Sequence, residues 1–177
     1  CNSLSSVVIP DSVQTIGSAA FAGCTFSSIK ISRSITSFGG NPFLWCKNLT
    51  TVDISENPNF VFVDGLLMNK NMAQIIYCTS SKSGEFSIPS SVVSILKNAF
   101  HGCKQLTTVV IPNSVKSIGV GAFDSCNGLQ SIIIPKSVTF VGSSAFGNCY
   151  ALKSVSLPNS LSFPLNAFPK GTKVNKY

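Results

Sequence analysis

The sequence predicts a solenoid, in which short coils of chain stack in one direction and each covers the core of the next. Three observations predict it. Cys1, Cys24 and Cys46 are 23 and 22 residues apart, and Cys103, Cys126 and Cys149 are 23 and 23 apart. Phe21, Phe43, Phe100, Phe123, Phe146 and Phe168 keep the same beat. KQLTTVVIPNSVKSIGVGAFDSC (104–126) and NGLQSIIIPKSVTFVGSSAFGNC (127–149) spell one order of residue types twice. A fixed period of roughly 20–50 residues marks repeat architecture, because one such unit cannot bury its apolar residues alone. At about 4.8 Å per layer, seven coils extend roughly 35 Å.

Residues 1–23 number the positions of the unit. Position four is Leu4, Leu49, Leu106, Leu129 and Leu152. Positions seven and nine form the pairs Val7/Ile9, Ile29/Ile31, Val52/Ile54, Phe86/Ile88, Val109/Ile111, Ile132/Ile134 and Val155/Leu157. Apolar residues separated by one are strand spacing with both side chains on one face. Pro10, Pro89, Pro112, Pro135 and Pro158 follow, and a residue without an N–H ends the strand and begins a corner. A second inward pair comes next, such as Val13/Ile16, Val115/Ile118 and Val138/Val141. Gly17, Gly39, Gly119 and Gly142 are expected where the backbone needs positive φ. An Ala-Phe step then turns a ring inward, and Cys closes the circuit as a small buried hydrophobe.

The pattern C-x2-L-x2-V-x-IP-x-SV-x2-IG-x2-AF-x2-C resembles the BspA-like leucine-rich repeats, the 23-residue type also called Treponema pallidum-type. It runs through nearly the whole chain; the departures are Ser32 and Ser55 in place of Pro, Pro42 in place of Ala, and a last unit ending Ala167-Phe168-Pro169. The resemblance implies a leucine-rich-repeat solenoid of about seven coils. A parallel β ladder would line its concave face, with loops and short strands on the convex side. It also implies a surface or secreted protein of a host-associated bacterium or a parasitic protist, with partners docking on the concave face.

The beat is lost between Phe43 and Phe100, which are 57 residues apart, one period plus 34. Residues 58–84 therefore read as an insertion in one domain spanning 1–177. Phe60–Val63 and Leu66–Met68 flank an Asp64-Gly65 turn, and Gln74–Tyr77 follows a second turn, giving a β-hairpin or three-stranded meander. It is expected to cover the solenoid's flank; protrusion toward a partner or a second copy is the alternative. Residues 169–177 are expected to fold back as a polar C-terminal cap. Cys1 enters mid-register, so either further repeats precede it or this end pairs with another molecule.

Composition narrows the function. The net charge of +7 rests on 12 Lys and a single Arg33, scattered singly, which argues against nucleic-acid readout. No apolar run approaches the roughly 18 residues of a membrane-spanning helix. His101, the one histidine, sits where other units carry Ala22, Asp124 and Gly147, and reads as a solvated turn residue. The six acids form no dyad, and DISENPN lacks the ligand density of a calcium loop. Gly119-Val120-Gly121 lacks the rest of a dinucleotide fingerprint. The seven cysteines contain no CxxC; stacked with parallel Cβ directions, they are expected to remain a ladder of buried free thiols. No catalytic residue, cofactor or metal site is expected, and no enzyme. Asn48-Leu49-Thr50 is a glycosylation sequon, which coincidence in an Asn- and Thr-rich chain explains.

What remains is surface. Position six is a hydroxyl-rich stripe that includes Thr51, Glu85, Thr108, Ser131 and Ser154; position eight includes Asp53, Ser87, Val110, Ile133 and Ser156. These are the candidate partner-binding residues, centred on Val110 and Ile133, which are greasy for an outward position. The expectation is a non-catalytic, cell-surface or secreted adhesion module. It would bind a protein or glycan on a host cell or matrix, with no nucleic acid and no membrane insertion, and with end-to-end or insertion-mediated self-association as a further option. The alternative is a structural spacer of a larger repeat protein, with no ligand of its own.

Overall fold

A computed structural model describes residues 4–177; Cys1, the first member of the cysteine series, lies outside the described residues. In chain order, the first coils contribute β1 (Thr15–Ile16), β2 (Ser28–Lys30), β3 (Ser37–Phe38) and β4 (Thr51–Asp53). The insertion forms β5 (Phe60–Val63), β6 (Leu66–Asn69) and β7 (Gln74–Cys78). The later coils add β8 (Ser83–Ser87), β9 (Ser94–Ile95), β10 (Gln105–Val110) and β11 (Ser117–Ile118). They end with β12 (Ser131–Ile133), β13 (Phe140–Val141), β14 (Ser154–Leu157) and β15 (Lys173–Lys176).

The fold is a β-solenoid of about seven turns. From the second coil on, each coil places one strand in the parallel ladder, and most coils add a two-residue strand past the corner. The ladder comes in three pieces: β2–β4, β8–β10 and β12–β14–β15. Positions of equal repeat number face one another, as in Ile132 with Val155 and Ser117 with Ser94. Inward residues such as Ile31, Leu106, Val115, Ile118, Leu129 and Ile134 are fully buried. Phe100, Phe123, Phe146 and Phe168 form one stacked column, with centroids 4.8, 5.1 and 5.3 Å apart, close to the strand spacing.

The cysteines sit beside this column. All six described cysteines are free and buried. The thiols reach back one coil: Cys46 Sγ donates to the Phe21 carbonyl at 2.9 Å, Cys126 to Phe100 at 3.1 Å and Cys149 to Phe123 at 3.0 Å. The position thus needs a small apolar residue with a weak donor.

The insertion does not cover the flank. β5, β6 and β7 pair antiparallel as a meander, and β7 also pairs in parallel with β9, so the three strands extend one sheet in the order β13–β11–β9–β7–β6–β5. Leu66, Met68, Ile75 and Cys78 belong to the core of the later coils, whereas Phe60, Leu67, Ile76 and Tyr77 belong to that of the first coils. The meander is a septum between two half-solenoids. The physical reason is in its composition: Leu66-Leu67-Met68 and Ile75-Ile76-Tyr77-Cys78 have no polar face, and such strands are stable only when covered on both sides. A register shift skips Ile76 and turns it to the same side as Tyr77. Buried Asn41 ties the halves together. Its Nδ2 donates to the Asn98 carbonyl at 2.8 Å, and its Oδ1 accepts from the Phe43 amide at 2.8 Å.

The glycine expectation needs correction. Gly17, Gly39, Gly119 and Gly142 do not have positive φ. A Cβ on Gly119 would lie 2.8 Å from Leu96 C and Lys97 N, and one on Gly142 would lie 2.5 Å from Val120 N. The column is glycine because backbone stacks on backbone there. Positive φ occurs elsewhere, including the position of Ala19, Asn98, Gly121 and Ser144 and the turn position occupied by Gly23, Trp45, Gly102, Ser125 and Asn148.

Candidate functional site

The outward residues of the ladder fall into separate neighbourhoods. Thr51 and Asp53 on β4 face Ser28 and Lys30 on β2, in the ladder piece before the septum. Asp53 serves its own turn: its Oδ1 accepts from Ser55 Oγ at 2.7 Å and from Ser55 N at 3.1 Å, and the Ser55 hydroxyl holds its carboxyl below the usual range. Lys30 is engaged by Glu56 at 2.7 Å, which raises its pKa. Glu85 and Ser87 on β8 lie opposite Thr108 and Val110 on β10.

Beyond β10 the ladder opens. β10 and β12 are neighbours but do not pair, and between them lies a depression of about 590 Å3. Thr108, Val110, Ser131 and Ile133 line it together, with Val110 45% and Ile133 65% exposed. Ser154 and Ser156 on β14 face Ser131 and Ile133 one strand further on. They are half-buried because β15 pairs with β14 on the other side, setting Lys173 against Ser154 and Asn175 against Ser156.

Sequence reasoning missed several residues at this place. Tyr177, Asn113 and Lys136 also line the depression. Tyr177 is anchored there: its hydroxyl donates to the Ile134 carbonyl at 2.8 Å, and its amide to Leu157 O at 3.0 Å. It lies outside the repeat, so no periodic signal points to it. Aliphatic surface ringed by hydroxyls, one amide and one ammonium can make apolar contacts and hydrogen bonds to a ligand. Among the described residues, no group of three or more His, Cys, Asp or Glu is placed to hold a metal ion.

His101 is not a solvated turn residue. Its side chain is only 10% exposed, its ring meets Trp45 edge-on at 5.7 Å, and its Nε2 is 3.9 Å from the Asp124 carboxylate. Burial lowers its pKa, against the opposing pull of Asp124. The cause is the septum, which interrupts the regular stack so that Trp45, from before the insertion, meets His101 from after it.

Comparison with known proteins now adds a family. The family model for the BspA type leucine rich repeat region matches residues 1–85 and 70–176, in six copies. The chain belongs to that family. Among solved structures, this BspA-type chain is similar to a leucine-rich repeat protein from Eubacterium ventriosum, with 31% identity over 88% of its length and a TM-score of 0.80. It is also similar to a leucine rich cell surface protein from Faecalibacterium prausnitzii, with 26% identity over 94% and a TM-score of 0.71. The pneumococcal vaccine antigen PcpA shares the fold at 21% identity over 93%, with a TM-score of 0.73. The BspA-type chain spans 42%, 51% and 49% of the lengths of these three. No curated protein matches it.

Proposed function

We propose that this BspA-type chain is a non-catalytic recognition module of a cell-surface or secreted protein, which binds a host or matrix protein or glycan through its concave ladder face. The observation that carries the reading is the opening between β10 and β12, where exposed Val110 and Ile133 stand among Thr108 and Ser131. Exposed aliphatic residues grouped with polar ones are how adhesive surfaces are built. The similar protein from Faecalibacterium prausnitzii is itself described as a cell surface protein, which supports the location.

The test is binding of the labelled chain to mammalian cell monolayers and to immobilised extracellular matrix. The unaltered chain is expected to bind saturably, and Val110→Asp with Ile133→Asp is expected to abolish binding while leaving the melting temperature unchanged. Retained binding in the double variant would remove the concave face from the reading. No binding by the unaltered chain would favour a spacer between other domains.

A further inference from the structure

A second depression lies where the septum divides the stack, and we propose that it binds the carboxylated sugar end of an acidic glycan. It measures about 420 Å3, within the roughly 300–1,000 Å3 of small-molecule sites. Trp45, Lys47, Tyr77, His101, Lys104 and Gln105 are among the residues lining it. Trp45 and Lys47, with Phe43 and Cys46 beneath them, precede the insertion, and the other lining residues lie within or after it. The depression therefore exists because the septum brings two otherwise distant coils together around it.

Trp45 is the first indication. It has φ 61° at a turn position that elsewhere holds Gly23, Gly102, Ser125 and Asn148, with φ of 70°, 74°, 62° and 52°. A left-handed backbone suits glycine and small polar residues and strains a bulky one. The indole gains little burial in return, since Trp45 is 60% exposed. Beyond its edge contact with His101, this conformation leaves a large aromatic face open to solvent, and strain of this kind concentrates at binding sites.

Two polar atoms supply the second, independent indication. Tyr77 is only 3% exposed, and its hydroxyl has no hydrogen-bond partner. His101 Nδ1 is likewise buried and unpartnered. A buried polar group without a partner is unfavourable, so two at one depression call for a ligand that supplies partners. Around them, Lys47 and Lys104 have no carboxylate within ion-pair distance among the described residues.

The combination selects a chemistry. The donors exceed the acceptors, so the ligand is rich in oxygen, and two free ammonium groups favour a carboxylate. The indole face suits the C–H side of a pyranose ring, and Tyr77, His101 and Gln105 line the same depression as partners for its hydroxyls. A neutral aromatic ligand would leave the donors empty, and an extended acidic peptide would leave the indole bare.

Trp45 is the chain's sole tryptophan, so its emission reports directly on this site. The intact chain is titrated at constant ionic strength with D-glucuronic acid and N-acetylneuraminic acid, then with glucose, acetate and a glutamyl dipeptide. A saturable emission change is expected with at least one acidic sugar, and none with glucose or acetate. Lys47→Met with Lys104→Met is expected to weaken binding about tenfold, and Tyr77→Phe about fivefold. Tyr77→Phe should melt no lower than the parent, since it deletes an unpartnered hydroxyl, and so separates lost binding from lost folding. Silence with both acidic sugars, an equal response to glucose or acetate, a response to the dipeptide alone, or unchanged affinity in the lysine variant overturns the proposal.

Discussion

Cys126 Sγ donates to the Phe100 carbonyl of the preceding coil at 3.1 Å, tying the thiol column to the phenyl column. Hydrogen bonding with the neighbouring Cys149 thiol and then burial raise the Cys126 thiol well above its ordinary pKa; Cys103 and then burial do the same for Cys78. Both effects suppress the reactive thiolate. In the folded chain at about pH 8, thiol reagents are expected to leave the six described cysteines unmodified. Once unfolded without reductant, close to all seven cysteines of the chain should react; two or fewer titratable thiols would mean disulfides instead. Cys126→Ala is expected to cost about 1–2 kcal/mol in urea unfolding, from the lost hydrogen bond and a small void.

The septum makes a prediction with a direction as well as a size. Leu67 and Met68 are adjacent and both fully buried, yet they face different cores. Truncating either to Ala is expected to cost about 2–5 kcal/mol. Hydrogen exchange should separate the two: Leu67→Ala should speed exchange first in β2 and β4, and Met68→Ala first in β8, β9 and β10. Equal acceleration on both sides would mean that the halves do not form distinct cores.

Much of this fold was legible because a solenoid turns a long-range contact into a local repeat. Phe123 meets Phe146, so a period of 23 residues in sequence is also a neighbour relation in space. The meander's strands were readable from the Asp64-Gly65 turn, but not their place between the cores. The clue was the consecutive apolar run at Leu66–Met68, since a strand with one wet face would alternate. Val110 and Ile133 met through repeat position alone, whereas the opening beside them leaves no mark, because residue types on either side obey the pattern. Trp45 broke the pattern in plain view, a bulky residue at a position of Gly, Ser and Asn. Its meaning needed the φ angle and the neighbouring coil.

His101 gives the stability a pH dependence with a definite sign. Burial lowers its pKa from the ordinary 6.5; Lys104 acts in the same direction, and the Asp124 carboxylate opposes them. The folded chain therefore prefers the neutral imidazole, and the unfolded chain binds the proton more readily. This contribution is complete above pH 6.5 and is lost as the pH falls through the lowered native value. His101→Gln is expected to flatten the dependence of urea midpoints on pH in the window between the lowered native value and 6.5. A variant with an unchanged slope would assign the dependence to other groups.

Gly142 and Gly17 share a repeat position and differ in what lies beneath them. A Cβ on Gly142 would come 2.5 Å from Val120 N, backbone that cannot swing aside, whereas one on Gly17 meets nothing within 4 Å. Neither has a positive φ, so alanine is conformationally acceptable at both. Gly142→Ala is expected to force the coils apart and cost about 1–3 kcal/mol, as overpacking does. Gly17→Ala should be neutral or stabilise by up to about 1 kcal/mol, by restricting the unfolded chain. The two variants share the same chemistry, so the difference between their urea midpoints isolates the stacking term. If both destabilise equally, the column is glycine for a reason of local conformation, and close approach between coils does not explain it.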